Sequence, residues 1–160
     1  MNKIKTTLYV LCGTPGAGKS TWTMKNKDTF PGTTKIVSRD EIRFALVPEN
    51  EEYFSKEKEV YKEFIRQIKE GIENYDNVFV DATHYNRRAR TKLLRALGTS
   101  LKNVEINAVV IRPSLEVTLA QNAQREGRKF VPEEIIKDYY RTFEMPTEEE
   151  GFDHIIIGRS

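Results

Sequence analysis

The segment Gly13-Thr14-Pro15-Gly16-Ala17-Gly18-Lys19-Ser20 fits the pattern G-x-x-x-x-G-K-[ST]. Its glycines let backbone N–H groups turn onto phosphate oxygens with no Cβ in the way. A helix opening at Ser20 and Thr21 would add its positive N-terminus. Lys19 is the residue type that reaches β- and γ-phosphates, and a Ser20 hydroxyl is a ligand for Mg²⁺. Residues Gly13 to Thr21 are therefore the expected contacts of a nucleoside triphosphate such as ATP.

Three further blocks carry side chains that could act beside such a loop. In Ser38-Arg39-Asp40-Glu41-Ile42-Arg43, Ser38 and Glu41 have capping-box spacing. Asp40 and Arg43, three apart, share a helix face. Next to bound phosphates Asp40 can accept a hydroxyl proton and Arg43 can offset charge on the transferred group. A surface ion pair is the other reading. In Val80-Asp81-Ala82-Thr83-His84, an acid ends an apolar run. Asp81 suits Mg²⁺ held through water, or a turn. His84 is read as a surface or turn residue without a catalytic part. In Asn122 to Pro132, Arg125, Arg128 and Lys129 flank a glycine. They form either a lid over a nucleotide or an exposed loop.

These blocks need a scaffold that brings them together. Strand signals fall at Thr7–Cys12, Lys35–Val37, Asn77–Asp81, Val104–Ile111 and His154–Ile157, mostly as unbroken apolar runs suited to strands covered on both faces. Between them lie helical stretches. One is amphipathic from about Tyr53 to Asn74, one starts at Ser114, and one has Glu133 and Glu134 in its first turn. The stretch Asn86–Leu97 gathers Arg87, Arg88, Lys92 and Arg95 on one arc, with Arg90 in the apolar arc. That arc is a solvated face or a polyanion groove. Arg90 either snorkels or reaches toward the strand ends. The βα alternation implies a parallel sheet with ligands at the strands' carboxyl ends, where the phosphate loop and the Ser38 and Asp81 blocks fall, while Asn122–Pro132 follows the helix after the fourth strand.

Composition narrows the classes. At 160 residues, with 38% hydrophobic and 31% charged residues, the chain is expected to form one domain over 1–160. One cysteine, Cys12, excludes a disulfide framework within the chain. No run is long enough for a membrane helix and the N-terminus lacks a secretory layout, so a cytoplasmic protein with no membrane partner is expected. A net charge of +2 makes any nucleic-acid site a local patch.

The loop from Gly13 to Thr21, the Arg39-Asp40-x-x-Arg43 block, Asp81-Ala82-Thr83 and the segment Asn122–Pro132 with Arg125 together resemble the polynucleotide 5′-hydroxyl kinases of phage and bacterial end healing. The resemblance implies an α/β three-layer P-loop kinase sandwich with a five-stranded parallel sheet, order 2-3-1-4-5, and a helical lid at about 122–132. It implies transfer of the γ-phosphoryl of ATP, or another nucleoside triphosphate, to a 5′-hydroxyl of DNA or RNA. Lys19, Asp40, Arg43 and Arg125 would be catalytic, and Ser20 and Asp81 would hold Mg²⁺. Asp40, Arg43, Thr83 and Arg88 would meet the acceptor. A separate phosphatase or ligase acting on the same end is the expected partner. A kinase for a small hydroxyl acceptor, or a nucleotide-binding module without transfer chemistry, would share the donor-side residues.

Overall fold

Apolar residues on both faces of each inner strand require helices above and below a central sheet. The computed structural model describes residues 5–159 and has that arrangement. Strands β1 (Thr7–Cys12), β2 (Thr34–Ser38), β3 (Asn77–Asp81), β4 (Glu105–Val110) and β5 (His154–Ile157) form one parallel sheet in the order β2-β3-β1-β4-β5. Both the P-loop kinase architecture and the strand order match expectation. The helices are α1 (Lys19–Asn26), α2 (Arg39–Leu46), α3 (Glu57–Asn74), α4 (Arg87–Leu97), α5 (Leu115–Ala123) and α6 (Glu133–Arg141).

Alternation along β1 divides the core. Leu8, Val10 and Cys12 pack toward Phe64 and Ile68 of α3 and Leu93 and Leu97 of α4. Tyr9 and Leu11 point the other way, toward Trp22 of α1, with Phe79 of β3 and Ile111. Residue for residue, β1 pairs Thr7–Val10 with Asn77–Val80 of β3. The carboxyl ends of β1, β2 and β3 therefore lie side by side, and the loop, the Arg39 block and Asp81 leave the sheet together.

Local signals set the helix starts. Ser38 accepts from the Glu41 amide at 3.3 Å, Asn86 from Ala89 at 2.8 Å and Ser114 from Val117 at 3.1 Å, each as an N-cap. The helix expected from Tyr53 begins instead at Glu57, and Tyr53 to Lys56 form turns. There Tyr53 and Phe54 pack as a T-shaped pair against the Arg43 guanidinium, which lies 4.9 and 5.2 Å from their ring centres. That cluster holds them out of the helix.

Arg90 neither snorkels nor meets solvent. It is fully buried, and its Nε and Nη2 donate to Glu150 at 2.7 and 3.2 Å. Its Nη1 donates to the His84 carbonyl at 3.0 Å. Removing one member of a buried pair strands the other charge, which costs about 3–5 kcal/mol. Glu150→Ala is expected to lower the urea midpoint by that equivalent, and Arg90→Met on top of it to recover part of the loss. A midpoint unmoved by Glu150→Ala would show that the pair adds nothing.

Candidate active site

The turn after β1 is shaped for close approach. Gly16 and Gly18 have φ of +85° and +100°, which favours glycine. A Cβ on Gly13 would sit 2.6 Å from the Ile111 carbonyl oxygen. Gly18 caps α1 without a side-chain bond, and α1 has no acid in its first turn, so its amides face the loop uncompensated. Lys19 Nζ donates to the Thr14 carbonyl at 3.0 Å, curling over the loop. Burial pushes the ammonium's pKa down, and the Asp81 and Asp40 carboxylates pull it back up.

Ser20 Oγ donates to Asp81 Oδ2 at 2.8 Å. A hydroxyl and one carboxylate side by side are the protein's usual share of a Mg²⁺ site in which phosphates supply other oxygens. Among the described residues no group of three or more acids, histidines or cysteines is placed to hold a metal by itself. The donor set thus fits an ion that arrives with a nucleotide.

Asp40 and Arg43 are paired on α2, Arg43 Nη1 to Asp40 Oδ1 at 2.7 Å. They are not a surface pair: the Arg43 side chain is 7% exposed, while Asp40 is 52% exposed. Sequence reasoning missed the residue that explains this. Glu57, at the start of α3, accepts from Arg43 Nε and Nη2 at 2.6 and 3.1 Å and from Arg39 Nη2 at 3.1 Å. Burial works against the Glu57 carboxylate, but Arg43 and then Arg39 outweigh it and keep its pKa below the ordinary range. Burial likewise opposes the Arg43 charge, and Glu57 and Tyr53 hold its pKa above the ordinary value. Tyr53 OH donates to Asp40 Oδ1 at 3.1 Å. The half-exposed carboxylate is therefore aimed by two fixed donors.

The segment 124–132 runs from α5 to α6 with a single 3₁₀ turn at Gly127–Lys129. Asn122, 2% exposed, closes its ends with Nδ2 to the Val131 carbonyl at 2.7 Å and Oδ1 from the Val131 amide at 3.1 Å. Arg128 stacks on Phe44 of α2 and donates to the Val47 carbonyl at 2.7 Å. Arg125 Nη1 is buried with no hydrogen-bond partner among the described residues. An unmet cationic donor suits a phosphate oxygen.

A cavity of about 980 Å³ joins these parts; Lys19, Ser20, Asp81, Asp40, Arg43 and Arg125 all line it, as does Thr83. Arg88 does not. It lines a second concavity on α4.

His84 is a correction. Far from a surface position, it is 6% exposed, with φ +42° and Nδ1 2.8 Å from the Leu11 carbonyl oxygen. Arg90 holds its carbonyl, and Gly13 N donates to the neighbouring Thr83 carbonyl at 2.9 Å. These bonds zip β1 to β3 beyond their strands and brace the loop. Burial, reinforced by the charges of Arg39, Lys19 and Arg90, outweighs the Leu11 bond and pushes the imidazole down from 6.5 to about 4. Above pH 6.5 the ring is neutral in both folded and unfolded chains. As pH falls from there toward 4, the unfolded chain takes up a proton that the folded one refuses, so stability declines by about 3 kcal/mol. His84→Asn, a residue that tolerates positive φ, is expected to remove this slope. Parallel declines of the urea midpoint in parent and variant between pH 7 and pH 4.5 would contradict the assignment.

The sheet order, the loop and the paired Ser20 and Asp81 define a P-loop domain of the kinase type. The chain belongs to the AAA domain family, whose profile matches residues 8–146. An L-seryl-tRNA(Sec) kinase of Methanococcus maripaludis is 34% identical over 161 aligned residues, covering 91% of this chain and 56% of that protein. The chain thus spans little more than half the length of this relative. Among solved structures, a chain of the Pnkp1/Rnl/Hen1 RNA repair complex superposes with a TM-score of 0.70 at 22% identity, over 88% of this chain and 45% of that one. Kti12 from Chaetomium thermophilum, in complex with ADP-AlF3, superposes with a TM-score of 0.67 at 14% identity, over 94% of this chain and 87% of its own. The two superpositions establish the fold. No described helix is long and apolar enough to cross a membrane.

Proposed function

We propose that this chain moves the γ-phosphoryl group of ATP to a hydroxyl carried by a nucleic acid, first of all the 5′-hydroxyl end of RNA or DNA. The observation that carries the reading is Asp40. Its carboxylate is held by Arg43 and Tyr53 in the same cavity as the phosphate-binding loop. A nucleotide-binding module without transfer chemistry has no use for an aimed carboxylate there.

In this reading Lys19 and the loop amides hold the β- and γ-phosphates, and Ser20 and Asp81 hold Mg²⁺. Mg²⁺ held there would offset charge on the phosphates. Asp40 takes the proton of the acceptor hydroxyl as its oxygen bonds to the γ-phosphorus, and the bond from that phosphorus to the β–γ bridging oxygen breaks to release ADP. Arg43 keeps the carboxylate in place, and Arg125 meets charge on the phosphates. Thr83 lines the acceptor side.

A second acceptor is favoured by a specific observation. The 34% identity to an L-seryl-tRNA(Sec) kinase covers 91% of the chain. A seryl hydroxyl on a charged tRNA would use the same base and the same donor site. Incubation with ATP labelled in the γ-phosphate tests both, against a 5′-hydroxyl oligonucleotide, seryl-tRNA and a small polyol. Label on the oligonucleotide supports the first reading. Label on seryl-tRNA alone replaces it with the second, and label on the polyol alone moves the protein to the small-acceptor class. A separate phosphatase or ligase would act on the same ends if the first reading holds.

A further inference from the structure

The cations of α4 lie outside the donor site yet are connected to it. Arg87, Arg88, Lys92 and Arg95, with Thr91 and Glu144, line a concavity of about 660 Å³. Glu144 is its one acid, anchored by its amide to the Tyr85 carbonyl at 2.8 Å. None of the four cations forms a salt bridge among the described residues. The contrast is Arg66 on the exposed face of α3, which is neutralised locally by Glu63 and Glu70 at 2.6 and 2.7 Å.

The bridge between this concavity and the Asp40 cavity is Tyr61 of α3. Lys92 Nζ lies 4.3 Å from the centre of its ring, and the Arg39 guanidinium 5.1 Å from the same ring. Arg39 lines the cavity that holds Asp40, and Lys92 lines the concavity on α4. Two buried polar atoms at this junction, Arg39 Nε and Tyr61 OH, have no hydrogen-bond partner among the described residues. The unpaired cations of α4, continuous with Arg39 through the Tyr61 ring, match a chain of phosphodiesters, whose oxygens accept but do not donate. Arg88 and Arg95 stand one helical turn either side of Lys92, roughly 5 Å along the axis.

We propose that a polynucleotide acceptor leaves the Asp40 cavity over the Arg39–Tyr61–Lys92 junction and lays its phosphodiester backbone on the Arg88, Lys92 and Arg95 face of α4. This rests on the phosphotransfer reading above and deepens it. The surface selects acceptors by length and is indifferent to base, because backbone contacts position a strand without reading sequence.

The test combines Arg88→Ala, Lys92→Ala and Arg95→Ala and measures two things: oligonucleotide binding by fluorescence anisotropy across a salt series, and KM for a 5′-hydroxyl oligonucleotide against a nucleoside 3′-phosphate. Removing three cations that each neutralise one phosphate of a single strand is expected to flatten the log–log salt slope by about two units. The oligonucleotide KM is expected to rise about 10–100-fold, so that the advantage of the long acceptor over the short one collapses. Variants Arg88→Lys and Arg95→Lys, which keep point charges, should hold the parental slope. An unchanged slope in the triple variant overturns the proposal, as does equal damage from the lysine variants. A parent protein that binds no oligonucleotide also overturns it. A parent that binds with the expected slope but phosphorylates neither acceptor keeps the surface and removes the phosphotransfer reading instead.

Discussion

Lys19→Ala is expected to abolish phosphoryl transfer to every acceptor while the melting curve stays at its parental position. The side chain curls over the loop to its Thr14 carbonyl and takes no part in the core. Its loss is therefore expected to leave the fold intact and to act on the donor phosphates that the proposed function places there. Arginine-finger and lysine contacts of this kind stabilise charge as it spreads over the equatorial oxygens, and removing one costs orders of magnitude in rate. Calorimetric titration with ATP and single-turnover transfer on the same preparation check both halves. Parental turnover in a folded variant would remove the loop from the chemistry and every role built on it.

Asp40→Asn separates transfer from donor binding. The substitution keeps the shape and one oxygen able to accept from Arg43 and Tyr53, and removes the carboxylate proposed as the base. Transfer is expected to fall by about 10²–10⁴, the range of a general base, with ATP affinity retained because the loop and Ser20 are untouched. Arg43→Lys tests the support beneath it. The guanidinium uses three nitrogens on Glu57, Asp40 and Tyr53. An ammonium cannot reproduce that fork, so kcat should fall with it. Asp40→Asn at the parental rate would return the carboxylate to the helix start, and loss of ATP binding would move it to the donor side.

The scaffold is legible because it follows from periodicity. Unbroken apolar runs at Thr7–Cys12 and Asn77–Asp81 are what strands between two helical layers must look like, and the turn residues after them are what a phosphate site needs. Ser38, Asn86 and Ser114 mark three helix starts through their side-chain chemistry. What stays hidden depends on distance in space without a trace in spacing. Glu57 reads as one more acid on an amphipathic helix, yet it is the clasp of Arg39 and Arg43. Glu150 lies sixty residues from Arg90 and gives no sign of the buried pair they form. Tyr53 reads as helical by extension of the helical spacing of Tyr61, Phe64, Ile65, Ile68 and Ile72, and cation–aromatic stacking on Arg43 decides otherwise. His84 misleads because polarity is a poor guide to exposure where a carbonyl partner and a stacked Phe64 ring let a neutral imidazole stay inside.

The Asn122 bonds to Val131 have a consequence for how this protein can change over evolutionary time. They pin the two ends of a nine-residue separation to each other, independently of what lies between. Closing a loop whose ends are already fixed becomes costlier only slowly with length, by about 0.6 kcal/mol for each doubling. Descendants of this chain could therefore lengthen or recompose the rest of this stretch while the sheet registers nothing, provided Arg125 keeps its place in the cavity and Arg128 its bond to the Val47 carbonyl. Such a segment is a graft site. New donor or acceptor preferences can be tried there by insertion, with Asn122 as the residue that must not drift.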